Sequence, residues 1–252
     1  MTTQKITLDG KPFLVNTEDA CISSWLIRGE TVDATERDLI RQTVKPGDHV
    51  VDIGANIGLY TVLLSELVGP LGRVYAFEPD GTNFAILQEN LRLRQIHNVQ
   101  AEPLALFSHS GELALYSGGA NKGAHSVVYH APDAIPMATV KAVTFDKYFY
   151  GIRHLISFIK IDAEGAEAEI LAGATTVFDQ GNAALGAMML EFNDTMQDHA
   201  GVPMDATLLR LIDAGFSLYV VADGKLGIMG AEDIPRIFKS MHNAYFNIWC
   251  KR

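Results

Sequence analysis

The chain has 252 residues, 48% of them hydrophobic and 20% charged, enough to bury one sizeable core and within the usual span of a single domain. Asp and Glu outnumber Lys and Arg by 30 to 20, so the surface repels polyanions and lacks the basic footprint that a nucleic-acid partner requires. Cys21 and Cys250 are the only cysteines, the start Met1-Thr2-Thr3-Gln4-Lys5 carries no signal-peptide apolar stretch, and no apolar run is long enough to span a bilayer; the expectation is a soluble, cytoplasmic protein with no disulfide framework and no membrane partner.

Taken in chain order, residues 5–15 alternate around Asp9-Gly10, a dipeptide suited to a tight hairpin turn. Asp33 followed by Glu36 predicts a capping box for a helix running to about Val44. Residues 1–46 thus form an N-terminal extension, a lid or brace, ahead of a domain over 47–252. From His49 onward, short β-rich runs alternate with helical stretches, the sequence form of a parallel sheet covered on both faces. Strands are predicted at 49–53, 73–77, 99–101, 155–161, 185–191, 217–221 and 244–249. The expected fold is α/β: a Rossmann-like, mostly parallel sheet of seven strands. Between the third and fourth strands, residues 107–150 form a long insertion with a hairpin (113–116 and 138–143) and a glycine-rich loop. Insertions of that length inside a compact domain usually carry function.

The first strand of the sheet ends in Asp52-Ile53-Gly54-Ala55-Asn56-Ile57-Gly58 and is followed by a helical run over 59–67. Such a turn brings backbone N–H groups and a helix N-terminus up to a ligand. An acidic residue, Glu78, ends the next strand 20 positions beyond Gly58, the spacing at which a carboxylate reaches ribose hydroxyls. A nicotinamide or flavin enzyme would need three glycines spaced G-x-G-x-x-G, and only Gly54 and Gly58 stand here. A carboxylate such as Asp52 at the strand's mouth repels a diphosphate and attracts the sulfonium and ammonium of S-adenosylmethionine. The motif therefore points to that methyl donor, with Pro79 beside Glu78 in the same turn.

Ligands of open α/β sheets bind beyond the carboxyl ends of the strands. Asp162 ends the predicted fourth strand, and Glu191-Phe192-Asn193 ends the fifth. Methyl transfer needs the acceptor atom aligned with the donor and helped to lose its proton, for which Asp162 comes first and Glu164 second. Glu167 and Glu169 read as charges complementing a helix N-terminus. Lys160 is a cation near the end of an apolar strand and needs a carboxylate partner. Asp162, Glu191 and Asn193 form an oxygen-rich trio able to hold Mg²⁺, an ion the sequence permits without requiring. The loop over 117–126 suits a lid, mobile as far as Pro132 until the acceptor binds, and its His125 is either a base or a solvated surface residue. The Pro-Pro-aromatic element of DNA amino-methylases is missing after the fourth strand, where Asp162-Ala163-Glu164-Gly165 stands.

The Asp52–Gly58 turn, Phe77-Glu78-Pro79, Ile159-Lys160-Ile161-Asp162-Ala163-Glu164-Gly165-Ala166-Glu167 and Leu171-Ala172-Gly173-Ala174 together resemble the FkbM family of methyltransferases over about residues 35–195. The resemblance implies an O-methyltransferase acting on a hydroxyl of a sugar, natural product or other small molecule. It also implies that Asp52, Gly54, Asn56 and Gly58 line the methionine end of the cofactor and Glu78 the ribose, while Leu104 and Ala105 flank the adenine. Asn121, Gly123 and Ser126 echo a family element and join His125, Glu191 and Asn193 as acceptor-binding candidates. A catalytically silent module that retains the cofactor pocket is the alternative reading, and the sequence carries no signal for oligomeric state.

Overall fold

In the computed structural model, residues 2–128, 131, 133–175, 184–193, 201–222, 225–236 and 245–252 are described. The main sheet is built from β3 (His49–Ile53), β4 (Arg73–Phe77), β5 (Val99–Glu102), β9 (Ile156–Ile161), β10 (Ala187–Asn193), β11 (Ser217–Ala222), β12 (Lys225–Met229) and β13 (Tyr245–Lys251). Their order across the sheet is β12-β11-β13-β10-β9-β3-β4-β5. The five strands from β10 to β5 are parallel, and β13 runs antiparallel between β10 and β11. Buried on both faces, the central strands read as near-continuous apolar runs. Alternation along β3 sends Val51 and Ile53 into one core and Val50 into the other.

All seven predicted strands are present within the described residues, with their ends displaced by up to two residues, but the sheet has eight. β12 adds an antiparallel edge to β11, its register closing at Ala222↔Lys225. Most of it is exposed, so it lacks the apolar alternation that marks the others.

Among the described residues, the helices that flank these strands include α3 (Leu59–Val68), α4 (Gly81–Leu93), α6 (Glu167–Ala172) and α7 (Met204–Asp213). Asp80 caps α4, accepting from the Thr82 and Asn83 N–H groups at 3.0 and 2.8 Å. β6 (Ala105–Leu106) lies just ahead of the insertion, which holds β7 (Gly111–Leu115), β8 (Ala138–Val143) and the short helix α5 (Phe145–Tyr148). The predicted hairpin is the antiparallel pair β7 and β8, and β6 joins it to make a three-stranded sheet.

At the N-terminus, β1 (Thr3–Leu8) and β2 (Lys11–Asn16) form the predicted hairpin, with Asp9 and Gly10 both at positive φ. Asn90 of α4, fully buried, clips it down: its amide exchanges hydrogen bonds with Leu14 N–H and C=O and also donates to Ile57 C=O. Next come α1 (Ile22–Ile27) and α2 (Ala34–Thr43). The capping box expected for α2 does not form. Asp33 adopts φ 50° and accepts from the Tyr60 hydroxyl at 2.9 Å, while Glu36 accepts from the Asn247 amide at 3.1 Å. Tertiary partners have claimed both side chains. No helix among the described residues is long and apolar enough to cross a membrane.

Candidate active site

The chain leaves β3 outward through β4 and β5, then returns to the other side of β3 as β9. A crevice opens at such a reversal, beyond the carboxyl ends of the strands. A cavity of about 440 Å³ lies there, walled by the turn after β3, the ends of β4, β9 and β10, the insertion and α1.

Gly54 and Asn56 line this cavity, but the two glycines of the turn serve the protein's own packing. At Gly54, φ is +77° and a Cβ would stand 1.7 Å from the backbone oxygen of Asp162. The missing side chain lets the end of β9 press against the turn. Gly58 does not reach the cavity; at φ +95° it makes room for Leu87, whose Cδ1 would lie 2.7 Å from a Cβ. Asp52 is also displaced from its expected place at the methionine end. It is 0% exposed, accepts from Thr61 Oγ1 at 2.6 Å, and its other oxygen lies 3.9 Å from Lys160 Nζ. Alternation along β3 turns it toward α3, away from the cavity lining, and the nearby Lys160 ammonium offsets its charge.

Glu78 lines the cavity with its orientation fixed, because its two oxygens accept from the N–H groups of Asn56 and Asp80 at 2.7 and 2.8 Å. Burial pushes its carboxyl up to about 8 from 4.5, against the pull of those two donors. The folded protein therefore holds a proton between these values that the unfolded chain has released. The associated stability is complete below about pH 4.5 and is lost as pH rises through 8. Melting temperatures of the donor-free protein should fall over that window, and Glu78→Gln should flatten the slope. Equal slopes for parent and variant would show that Glu78 titrates near its ordinary value.

Beyond the turn, Pro79, Leu104 and Ala105 form an apolar wall with Leu106 and Phe77. At the opposite end stand Asp162, Glu164, Glu191 and Asn193. Lys160, 2% exposed, has the carboxylate partner it needed: its Nζ lies 2.9 Å from Asp162 Oδ2. The ammonium also lies 4.7 Å from the centre of the Tyr60 ring. Burial opposes its charge, yet Asp162 and Asp52 outweigh burial and raise its pKa. Glu164 takes φ +52° and Gly165 +97°, a turn held by Glu167, which accepts from the N–H groups of Ala163 and Gly165 at 2.8 and 3.3 Å. Burial, and then the neighbouring carboxylates, raise the pKa of both Glu164 and Glu191. Tyr245 was missed from the sequence. It pairs with Asn193 in register, lines the cavity and hydrogen-bonds Glu191. As the first residue of a strand running antiparallel to β10, it had to lie at the carboxyl edge.

Asn121 and His125 line the cavity, and Ser126 does not. Ser126 is 2% exposed and donates to the backbone oxygen of Glu164 at 2.7 Å, tying the insertion to the acidic turn. His125 is half-buried rather than solvated. Its Nδ1 accepts from Gly118 N–H at 3.0 Å and burial lowers its pKa, so the neutral ring carries its proton on Nε2 and has no free acceptor nitrogen for a base. The predicted lid is pinned in the described part of its length. Lys122 N–H donates to Asp19, Asn83 donates to the Lys122 carbonyl, and Ala20 N–H donates to the Ala120 carbonyl; residues 129, 130 and 132 lie outside the described residues. The extension supplies the facing wall through Cys21, Ile22 and Trp25.

A family model described as the methyltransferase FkbM domain matches residues 52–218. The hexuronic acid methyltransferase AglP of Haloferax volcanii is 29% identical over 180 residues, covering 69% of this chain and 67% of that protein. Methyltransferase 1 of Beauveria bassiana is 29% identical over 143 residues, covering 49% of this chain and 57% of that protein. The match thus spans little more than half of that relative's length. Among solved structures, SMU.1697c of Streptococcus mutans, described as a methyltransferase in complex with SAH, aligns with a TM-score of 0.50. It is 13% identical, covering 86% of this chain and 94% of that one; the likeness is one of fold.

Proposed function

The chain belongs to the FkbM methyltransferase family, and from that premise we propose that it transfers a methyl group from S-adenosylmethionine to a hydroxyl of a sugar or sugar-bearing small molecule. The observation that carries this reading is the continuity of one cavity. It joins the glycine turn, Glu78 and an apolar wall at one end to Asp162, Glu164 and Glu191 at the other.

The residues suit the donor. Once ionised, Glu78 has spent one lone pair of each oxygen on a backbone N–H and keeps another on each for a ribose hydroxyl. Leu104, Ala105 and Phe77 offer the flat apolar surface that an adenine ring needs, and the acidic end attracts positive charge. When bound, S-adenosylmethionine supplies a methyl carbon already activated for displacement by oxygen. The chain's own task is then to align the acceptor and remove its proton. Asp162, held from one side by Lys160, orients the acceptor hydroxyl and, with Glu164, receives the proton. The relative named for hexuronic acid supports a sugar acceptor. Trp25 and Tyr245, 39% and 63% exposed on the cavity walls, add apolar faces with polar edges that suit a hydroxylated ring.

Calorimetry should show S-adenosylmethionine binding and NAD failing to bind, since a diphosphate meets an acidic cavity without a three-glycine cradle. Above about pH 8, where Glu78 is ionised, Glu78→Ala should weaken donor binding by about 1.5–3 kcal/mol, the scale of hydrogen bonds to a charged group; unchanged affinity would place the ribose elsewhere. Mass spectrometry of hydroxylated acceptors, hexuronic acid glycans first, should detect a gain of one methyl group. Donor binding with no transfer across such a panel would leave the silent cofactor-binding module as the better reading.

A further inference from the structure

We propose that Asp162, Glu164 and Glu191 together bind one hard divalent cation, of the Mg²⁺ or Mn²⁺ class, at the acceptor end of the cavity. One carboxylate oxygen from each lies within 4.8 Å of the others. Ligands on opposite sides of such an ion stand about 4.0–5.2 Å apart, given hard-cation oxygen distances of roughly 2.0–2.6 Å. The three groups are already at the spacing that a shared ion imposes.

A second observation points the same way. Glu191 is 4% exposed, and its Oε2 has no hydrogen-bond partner. The Tyr245 hydroxyl serves this carboxylate, and that oxygen is left over. A buried acceptor without a donor is costly, and this one belongs to a carboxylate that faces two more. The cost disappears if a cation fills the space.

The supports are rigid. β9 and β10 are adjacent parallel strands paired through Leu190↔Ile161, so Asp162 and Glu191 leave the sheet from neighbouring strand ends. Lys160 occupies Asp162 Oδ2, which leaves Oδ1 for an ion, and Asn193 offers a further amide oxygen from the cavity wall. Fully ionised, the three carboxylates carry three negative charges, and Lys160, shared between Asp162 and Asp52, offsets at most one of them, so a divalent cation meets a net negative site. Coordination to such an ion lowers the pKa of a hydroxyl, supplying what an unaided carboxylate lacks as a base for an alcohol. That role rests on the methyl-transfer reading; the cation site itself does not.

Titrating the full chain with Mn²⁺ alone, without methyl donor, tests the site by calorimetry and by electron paramagnetic resonance. One Mn²⁺ per chain is expected, displaced by excess Mg²⁺ and bound at least about tenfold more weakly by Glu191→Gln, as loss of a ligand implies. Glu164→Gln, less buried and so less exposed to folding failure, reads the same site if the first variant does not fold. A parent that binds no stoichiometric Mn²⁺, or variants that bind it as the parent does, would overturn the proposal, and the carboxyls would then share protons instead. Donor affinity, measured separately, keeps the two readings apart. Chelator-resistant methyl transfer by a protein that ignores Mn²⁺ sinks only the cation, and Mn²⁺ binding without donor binding sinks only the methyl-transfer reading.

Discussion

Gly54→Ala should cost at least about 4 kcal/mol of folding stability, a large part of the roughly 5–15 kcal/mol typical of a domain. Two effects add at this position. The residue sits at φ +77°, where a side chain costs about 1–2 kcal/mol. The new Cβ would also lie 1.7 Å from the Asp162 carbonyl oxygen, and no rotamer change relieves a backbone clash. The turn cannot simply retreat, because Gly54 N–H and Ala55 N–H both donate to the Phe77 carbonyl, at 3.0 and 2.9 Å, and Asp162 N–H donates to the Ile53 carbonyl at 3.0 Å. Gly58→Ala should be milder, since the Leu87 tip that it meets can rotate. Gly47→Ala, at φ +92° with nothing within 4 Å, should show the backbone strain alone. Chemical denaturation of the three variants would order them. Should Gly54→Ala prove no worse than Gly47→Ala, the close approach of Asp162 is not what this glycine serves.

Asp162→Asn should lower turnover by a factor of about 10² to 10⁴, the usual contribution of a positioned proton acceptor and equivalent to about 2.7–5.5 kcal/mol of barrier. Affinity for the methyl donor should stay close to that of the parent, because Glu78 and the turn after β3 are untouched. The substitution keeps the shape and removes one negative charge; Lys160 retains Asp52 at 3.9 Å, which limits the stability cost. Single-turnover kinetics with donor and acceptor saturating would separate the chemical step from binding. Near-normal turnover would move the proton acceptor to Glu164, since His125 already spends Nδ1 on Gly118.

Much of this architecture was legible in the sequence. The strands β3, β4, β5, β9, β10, β11 and β13 announce themselves because a sheet buried on both faces needs apolar runs, and those runs are local properties of the chain. The turn 52–58 with Glu78 and the segment 159–167 named the family from short strings. β12 was not legible: exposed on most of its length, it needed no apolar pattern. The α2 capping box misled for the opposite reason, since a local preference worth about 1 kcal/mol gave way to contacts of Asp33 with Tyr60 and Glu36 with Asn247.

Local pattern also set which residues lie at the carboxyl edge: strand ends place Gly54, Glu78, Asp162, Glu191 and Asn193 there whatever surrounds them. Only the tertiary structure decided which of them meet, and what each faces. It turned Asp52 onto Thr61, gave the room at Gly54 to Asp162 and at Gly58 to Leu87, and spent Ser126 on the backbone of Glu164. It also brought Trp25 from the extension and Tyr245 from the last strand to one cavity. Periodicity acts over a few residues and fixes a side chain's face and edge, whereas a contact between separate elements, such as Gly54 with Asp162, depends on how whole elements pack, which no local spacing encodes.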